Sequence, residues 1–334
     1  MTICIGRREF VVALGGAAMA WPLTTRAQQP GRMRRIGVLM AFAESDREAQ
    51  AWIAAFRAGL QKLGWTEGRN FRIDIRWAAS DADSRQRFAK ELVASQPDLV
   101  LSQVTATTLA LQQQTRTIPI VFAFVADPVG SGLVASIPRP GGNVTGFSNL
   151  EGSMTGKWLE LLKEIAPRVA RVAILFNPAT APYAEIFLNP FKAAAASFAV
   201  EAIVAPVRDA SELESAIAAQ ARAPNGGLIV MPEPFIVAHR AEVIALAARY
   251  RLPAVYPFRF FAEHGGLLSY GNDQTDNWRR AATYADKILK GEKPGELPVQ
   301  GPVKFELVVN LKTATALGLD VPLFLQQRAD EMIE

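Results

Sequence analysis

Residues 118–150, IPIVFAFVADPVGSGLVASIPRPGGNVTGFSNL, decide how this chain is built. Residues 118–124 form an apolar run of strand length that ends at Ala126-Asp127-Pro128, where a carboxylate and a helix-breaking proline close it. In an open α/β sheet, the carboxyl edge of the strands is where ligands bind. Further on, Pro138-Arg139-Pro140-Gly141-Gly142-Asn143 can continue neither a helix nor a central strand. Val144-Thr145-Gly146-Phe147-Ser148 therefore re-emerges as a separate extended segment, which we read as the passage from one domain to the next. One α/β lobe precedes it, most of a second follows, and a ligand is expected between them.

Upstream, residues 34–40 read as a continuous apolar strand behind a basic start, as in a parallel strand covered on both faces. Ser45 and Glu48 fit a capping box, Trp52, Phe56 and Leu60 share a helix face, and Gly64 supplies a stop. Phe71, Ile73, Ile75 and Trp77 alternate with polar residues, as in an edge strand. A helix over 83–95, a strand over 99–101 and a helix over 107–115 complete the approach to residue 118. Strict β-α alternation of this kind calls for a parallel sheet with right-handed crossovers.

Downstream the same order begins again. A helix around Trp158, Leu161, Leu162 and Ile165 precedes Arg171-Val172-Ala173-Ile174-Leu175-Phe176, which echoes residues 35–40, and Leu252-Pro253-Ala254-Val255-Tyr256 echoes residues 118–122. The offsets agree, 171 − 35 = 136 and 253 − 119 = 134, so two lobes of one plan fit better than one long sheet. Between the echoes the pattern predicts helices over 183–198, 211–221 and 236–250, with strands over 201–204 and 227–231. The tail reads as a helix over 276–290, a strand over 305–310 and a short helix ending at Gly318. The expected fold is α/β, two doubly wound parallel-sheet lobes, one of residues 34–147 plus about 272–300 and the other of 148–271 plus about 301–334.

With 50% hydrophobic and 20% charged residues over 334 positions, the chain can bury a large core. Its 36 basic and 32 acidic residues are scattered without a basic run, so the net charge of +4 gives no nucleic-acid footprint. One cysteine, Cys4, and two histidines, His239 and His264, are too few for a Cys/His zinc cluster, and no metal or cofactor is expected. At the start, Arg7-Arg8 precedes an uncharged run over 10–21 and then Thr25-Arg26-Ala27, the layout of an export signal peptide over 1–27 of twin-arginine type. Roughly 12 apolar residues cannot span a hydrocarbon core that needs about 20. The mature chain would be periplasmic, with no membrane insertion.

Polar groups collect at the strand ends: Gln103, Thr105, Thr107 and Thr108 after the third strand, Asp127 after the fourth, Ser148 and Asn149 after the crossing. Where 105–108 enters a helix, free N–H groups and hydroxyls suit a carboxylate, although threonine also caps helices without any ligand. Tyr256 and Phe258 begin an aromatic cluster with Phe260 and Phe261 that would wall an apolar ligand or simply pack the core. Asn177, Glu233 and Asp273 occupy comparable places in the second half. Gly130-Ser131-Gly132-Leu133-Val134-Ala135 matches a dinucleotide fingerprint and supports, as the alternative, a nucleotide-dependent oxidoreductase; Asp127-Pro128 and Pro138 sit badly with the strand and helix it needs. No nucleophile elbow, mature cysteine or carboxylate pair points to another enzyme.

These residues also resemble a known family. Asp127-Pro128-Val129-Gly130, Arg139-Pro140-Gly141-Gly142-Asn143-Val144-Thr145-Gly146, Lys287-Ile288-Leu289-Lys290-Gly291-Glu292-Lys293-Pro294 and Asn310-Leu311-Lys312-Thr313-Ala314 are similar to the substrate-binding proteins of ABC importers of the tryptophan/tyrosine type. The resemblance spans essentially the whole mature chain. It implies a periplasmic-binding-protein-like fold of type I, two lobes on a multi-strand hinge that close on a small molecule, and delivery to an ABC membrane permease by a monomer without enzymatic activity. Two places depart from the family pattern. Gln103-Val104-Thr105-Ala106-Thr107 stands where a Gly-Thr/Ser-Pro-Ala turn is usual, and Ser148-Asn149 where Ser-Asp is usual, which removes one partner for a ligand ammonium.

Overall fold

A computed structural model describes residues 32–79, 81–149 and 151–334; the expected export segment 1–27 lies outside the described residues. The chain runs β1 (Arg34–Met40), α1 (Arg47–Lys62), β2 (Phe71–Trp77), α2 (Ala82–Ala94), β3 (Leu99–Val104), α3 (Thr105–Gln114), β4 (Ile120–Val125) and β5 (Val144–Ser148). These five strands pair in parallel in the order β2-β1-β3-β4-β5. Strands β3 and β4 are buried from end to end and β1 from Ile36 onward, which explains why these stretches are mostly apolar rather than alternating.

A second sheet follows. Its elements are α4 (Met154–Ile165), β6 (Arg171–Phe176), α5 (Glu185–Ser197), β7 (Glu201–Pro206), α6 (Ala210–Ala221), β8 (Gly226–Val230), α7 (Pro234–Ala238), α8 (Arg240–Arg249), β9 (Ala254–Tyr256), α9 (Arg259–Glu263) and β10 (Leu268–Asn272). Then come α10 (Gln274–Leu289), β11 (Phe305–Asn310), α11 (Leu311–Leu317), α12 (Leu323–Arg328) and β12 (Glu331–Ile333). The sheet order is β12-β11-β10-β9-β8-β6-β7, so β6 to β10 repeat the connectivity of the first sheet. Strand β11 is antiparallel to β10, and β12 runs parallel to β11. The architecture is the α/β, two-lobed one expected.

Helix α10 leaves the second sheet and packs on the first. Its Trp278 stacks on Trp52 of α1 with ring centroids 6.3 Å apart, and Trp65 donates from Nε1 to Asp286 at 2.8 Å. Gly59 on α1 is what lets the helices meet, because a Cβ there would stand 2.7 Å from that of Ala282 and 3.0 Å from the Arg279 carbonyl oxygen. Beyond α10 the chain runs beside the first sheet once more, where Thr145 donates to the Leu297 carbonyl at 2.6 Å and the Ser148 amide to that of Gln300 at 2.8 Å. It then returns to the second sheet as β11. Three passages therefore connect the sheets.

Three local expectations need correction. The cap of α1 is Asp46, whose carboxylate accepts from the Ala49 amide at 3.0 Å; Ser45 lies outside a helix that begins at Arg47. The helix expected over 236–250 is two helices that break at His239. Residues 128–135 form turns with no helix, and the Leu133 and Val134 amides both donate to the Pro128 carbonyl, so the glycines offer no strand-to-helix phosphate cradle and the nucleotide reading fails. At Gly130 a Cβ would fall 1.9 Å from Asp127 Oδ2, so the glycine serves the turn.

Gly59→Val should force α1 and α10 apart. Overpacking of this kind costs about 1–3 kcal/mol, so thermal unfolding should show a lower midpoint, and an unchanged one would mean that the contact is not tight.

Candidate functional site

The carboxyl ends of β1, β3 and β4 face elements that follow β6, β8 and β9. Phe124, next to the end of β4, meets Phe258, just beyond β9, at 5.4 Å between ring centroids, and Trp52 also stacks on Phe124 at 6.4 Å. Two openings are lined by elements of both sheets. One, of about 310 Å³, is lined by Thr105, Asp127 and Ser131 from the first lobe and by Tyr183, Glu185 and Ile186 from the second. The other, of about 830 Å³, lies among Phe42, Asp46, Ala79, Arg240, Ile244 and His264. Both volumes suit a small ligand. A further cavity of about 290 Å³ at the amino ends of β6, β8 and β9, by Pro167, Asn225 and Leu319, is at the far end of the second sheet from these openings.

Hydrogen-bond partners separate residues with free valence from those holding the frame. Thr107 and Thr108 are fully buried, and their hydroxyls lie within hydrogen-bond distance of both the Ser102 hydroxyl, at 2.9 and 2.8 Å, and the Val104 carbonyl, so they secure the turn from β3 into α3. Thr105, one turn earlier, has a buried hydroxyl with no partner and lines the smaller opening. Asp127 accepts from the Gly130 amide at 2.8 Å and lines the same opening. Asn177 is occupied at both ends of its amide, by Ala179 N and Arg208 O. Asp273 caps α10 and pairs with Lys304 at 3.1 Å. Ser148 gives its hydroxyl to Gln300 and its carbonyl to Asn277 Nδ2. Tyr256 stacks on Phe261 at 5.0 Å within the second lobe, whereas Phe258 alone of that pair reaches the first.

Glu233 is entirely buried and accepts from the amides of Asn177, Phe235 and Ile236 and from the Thr180 hydroxyl. It caps α7 and fastens the turn after β6 to it. Burial pushes its carboxyl up to about 7, against four hydrogen bonds that favour the ionised form.

A second set of side chains joins Gln103, which the sequence already placed at a strand end, to Asn272, Gln274 and Trp278, which sequence reasoning missed. All are buried, and each carries a polar atom without a partner, as does Asn149. Gln274 donates to Asn149 Oδ1 at 3.2 Å and to Asn272 Oδ1 at 2.8 Å, which ties the residue after β5 to the end of β10. Gln103 Oε1 accepts from the Ala41 amide at 2.9 Å. The Gln103 departure from the family turn was visible in sequence; the others had no local mark.

Across the larger opening, Asp46 at the start of α1 meets Arg240 at the start of α8 at 2.8 Å. Their side chains are only 11% and 17% exposed, so this pair is better shielded than a surface bridge. Glu48 beside it has its carboxyl pushed up, first by burial and then by Glu263 of the second lobe.

Comparison with known proteins agrees with this geometry. Residues 36–333 match the profile of the family described as ABC transporter substrate binding protein, and the chain belongs to that family. It is 27% identical over 290 residues, 86% of this chain and 82% of the relative, to a tyrosine-binding protein of Clostridioides difficile strain R20291. A solved conserved domain protein from Vibrio cholerae is similar with a TM-score of 0.84 at 28% identity, covering 90% of this chain and all of that one. An ABC domain from Streptococcus pneumonia in complex with L-Trp gives 0.83 at 25%, with the same coverage. The chain is a substrate-binding protein for ABC import. Among the described residues no helix is long and apolar enough to cross a membrane.

Two outcomes follow. Arg240→Ala removes the bond that links α1 to α8 across this opening, so ligand affinity measured by calorimetry should fall about fivefold, the equivalent of about 1 kcal/mol; equal affinity would show that the pair does not bear on ligand capture. Because the folded pKa of Glu233 is raised above its ordinary 4.5, its stabilising share is complete below that pH and is lost as pH climbs through about 7. Urea midpoints should therefore fall from pH 4.5 to 7 by more in the wild type than in Glu233→Gln, and parallel profiles would contradict the shift.

Proposed function

We propose that this protein is exported to the periplasm, works there as a monomer without catalytic activity, and closes on a small carboxylate, an aromatic acid or amino acid, for delivery to an inner-membrane ABC permease. The observation that carries the reading is the meeting of Phe124 and Phe258 across the lobes beside the unpartnered hydroxyl of Thr105 at the start of α3, a ten-residue helix. Apolar rings next to free donors suit a ligand with a ring and an anionic end. Thr105, Asp127, Asn149 and Phe258 are the contacts we assign. The relatives that bind tyrosine and L-Trp support an aromatic ligand.

We further assign 34–147 plus about 272–300 to one moving lobe and 148–271 plus about 301–334 to the other, with the three passages between the sheets as the hinge. Residues 1–27 are the export signal; mass spectrometry of protein from its host should find a mature amino terminus after Ala27, and a chain retaining Arg7 would refute this. The function itself is tested by a thermal-shift screen of amino acids, aromatic acids and other carboxylates followed by small-angle scattering. A ligand at 100 times its Kd should stabilise by about 2.7 kcal/mol and reduce the radius of gyration. No stabilising compound, or an unchanged radius at saturation, would count against capture by closure.

A further inference from the structure

Five buried polar atoms without partners stand on β3, just after β5, at the end of β10 and on α10: Gln103 Nε2, Asn149 Nδ2, Asn272 Nδ2, Gln274 Oε1 and Trp278 Nε1. Gln274 and Trp278 are four apart in α10 and share one helix face. Asn149 follows β5 and bonds through its amide to the Val125 carbonyl at the end of β4. Gln103 alternates with Leu99 and Leu101 on the side of β3 that belongs to the cluster holding Trp52 and Trp278. The Trp278–Trp52–Phe124 stack joins these residues to Phe258 of the second lobe. Native proteins leave few buried polar atoms unpaired, so five in one place mark where a ligand completes the set.

The chemistry of the set is lopsided. Gln103 must offer its nitrogen, because the Ala41 N–H already holds its oxygen, and an indole nitrogen can only donate. In the amide triad, the Gln274 nitrogen is shared by two asparagine oxygens, which leaves two free NH2 groups and one free oxygen. Four donors thus face one neutral acceptor, and among the described residues no carboxylate bonds to any of the five. A ligand ammonium here would meet N–H groups and lack a counter-charge, an unpaired buried charge that proteins avoid.

We propose that Gln103, Asn149, Asn272, Gln274 and Trp278 determine specificity and select a carboxylic acid that lacks an α-ammonium, an aryl-alkanoic or aryl 2-hydroxy acid, over the matching amino acid. The acid supplies the acceptors, and a 2-hydroxyl can donate to Gln274 Oε1. This rests on the cleft being the solute site. Reversing all three amides would present two acceptors and one donor and would suit an ammonium, which makes the amino acid the decisive competitor.

The test is calorimetry on the full mature chain with two series, phenylpropionate, phenyllactate and phenylalanine, and indolepropionate, indolelactate and tryptophan. In one series at least, the deaminated acid should bind tenfold or more tightly than the amino acid. Trp278→Phe, which keeps the ring and loses the N–H, should weaken the acid about tenfold, and Asn149→Asp, which restores a charge partner, should shift preference tenfold or more towards the amino acid. Unfolding midpoints near that of the wild type confirm that each variant is folded; should one fail to fold, the wild-type comparison still decides. Amino acids binding as tightly as the acids, or an acid-to-amino-acid ratio unmoved in a folded Asn149→Asp, would overturn the proposal. Binding of neither series while another solute stabilises the protein in the screen would also overturn it and leave solute capture standing, whereas no stabilising solute of any kind would bring down that underlying reading as well.

Discussion

Helix α10 belongs by connection to the second sheet and by packing to the first, and the arrangement of the cleft depends on that docking. It is possible because Gly59 removes the one side chain that would hold α1 off Ala282. Once α10 is seated, Trp278 lies flat on Trp52, and the first turn of α10 brings Gln274 between Asn149 and Asn272. Two passages of backbone between the lobes are thereby pinned to each other by side-chain amides. A loosened α10 would release this link and the unpartnered polar groups around it together.

Contacts across the cleft are of two kinds, and they respond to different forces. Phe124 on Phe258 is apolar burial, which is non-directional and tolerates small changes in lobe angle. Asp46 with Arg240 is a charged bond with strict geometry, shielded enough to matter yet lost once the lobes part. The first holds the two sides together without fixing their angle, and the second favours one particular arrangement. The polar atoms beneath add a third requirement, since the closed state hides donors that the protein itself does not satisfy. A fitting solute that paired with those donors would relieve that penalty.

The frame around Glu233 shows how a buried carboxylate can look like a ligand contact and serve another purpose. Four donors converge on it from the turn after β6 and from α7. With both oxygens occupied it organises the rim of the second lobe. Thr107 and Thr108 do the same for the first through the Ser102 hydroxyl. Neither group could be told from a binding residue by type and position, because a strand's carboxyl end needs polar side chains to fasten its own turn whether or not a solute is bound there.

What the sequence determined by itself was everything governed by local period and backbone restriction. Apolar runs at β1, β3 and β4, their echoes some 135 residues on and the glycine and proline breaks named the α/β class and the duplicated plan, because burial of both sheet faces and the limits on φ act residue by residue. The turn at Asp127–Gly130 was legible for the same reason, and the substrate-binding family by the resemblance of its motifs. Only the tertiary structure decided which polar groups remain free. Thr105 and Thr107 are alike in sequence, yet one hydroxyl is satisfied by Ser102 and Val104 and the other is not. Gln274, Trp278 and Arg240 gave no local sign, since the partners that define them lie far along the chain: Asn149 is 125 residues from Gln274, and Asp46 is 194 from Arg240. Hydrogen-bond valence is settled by neighbours in space, and a single sequence orders neighbours only along the chain.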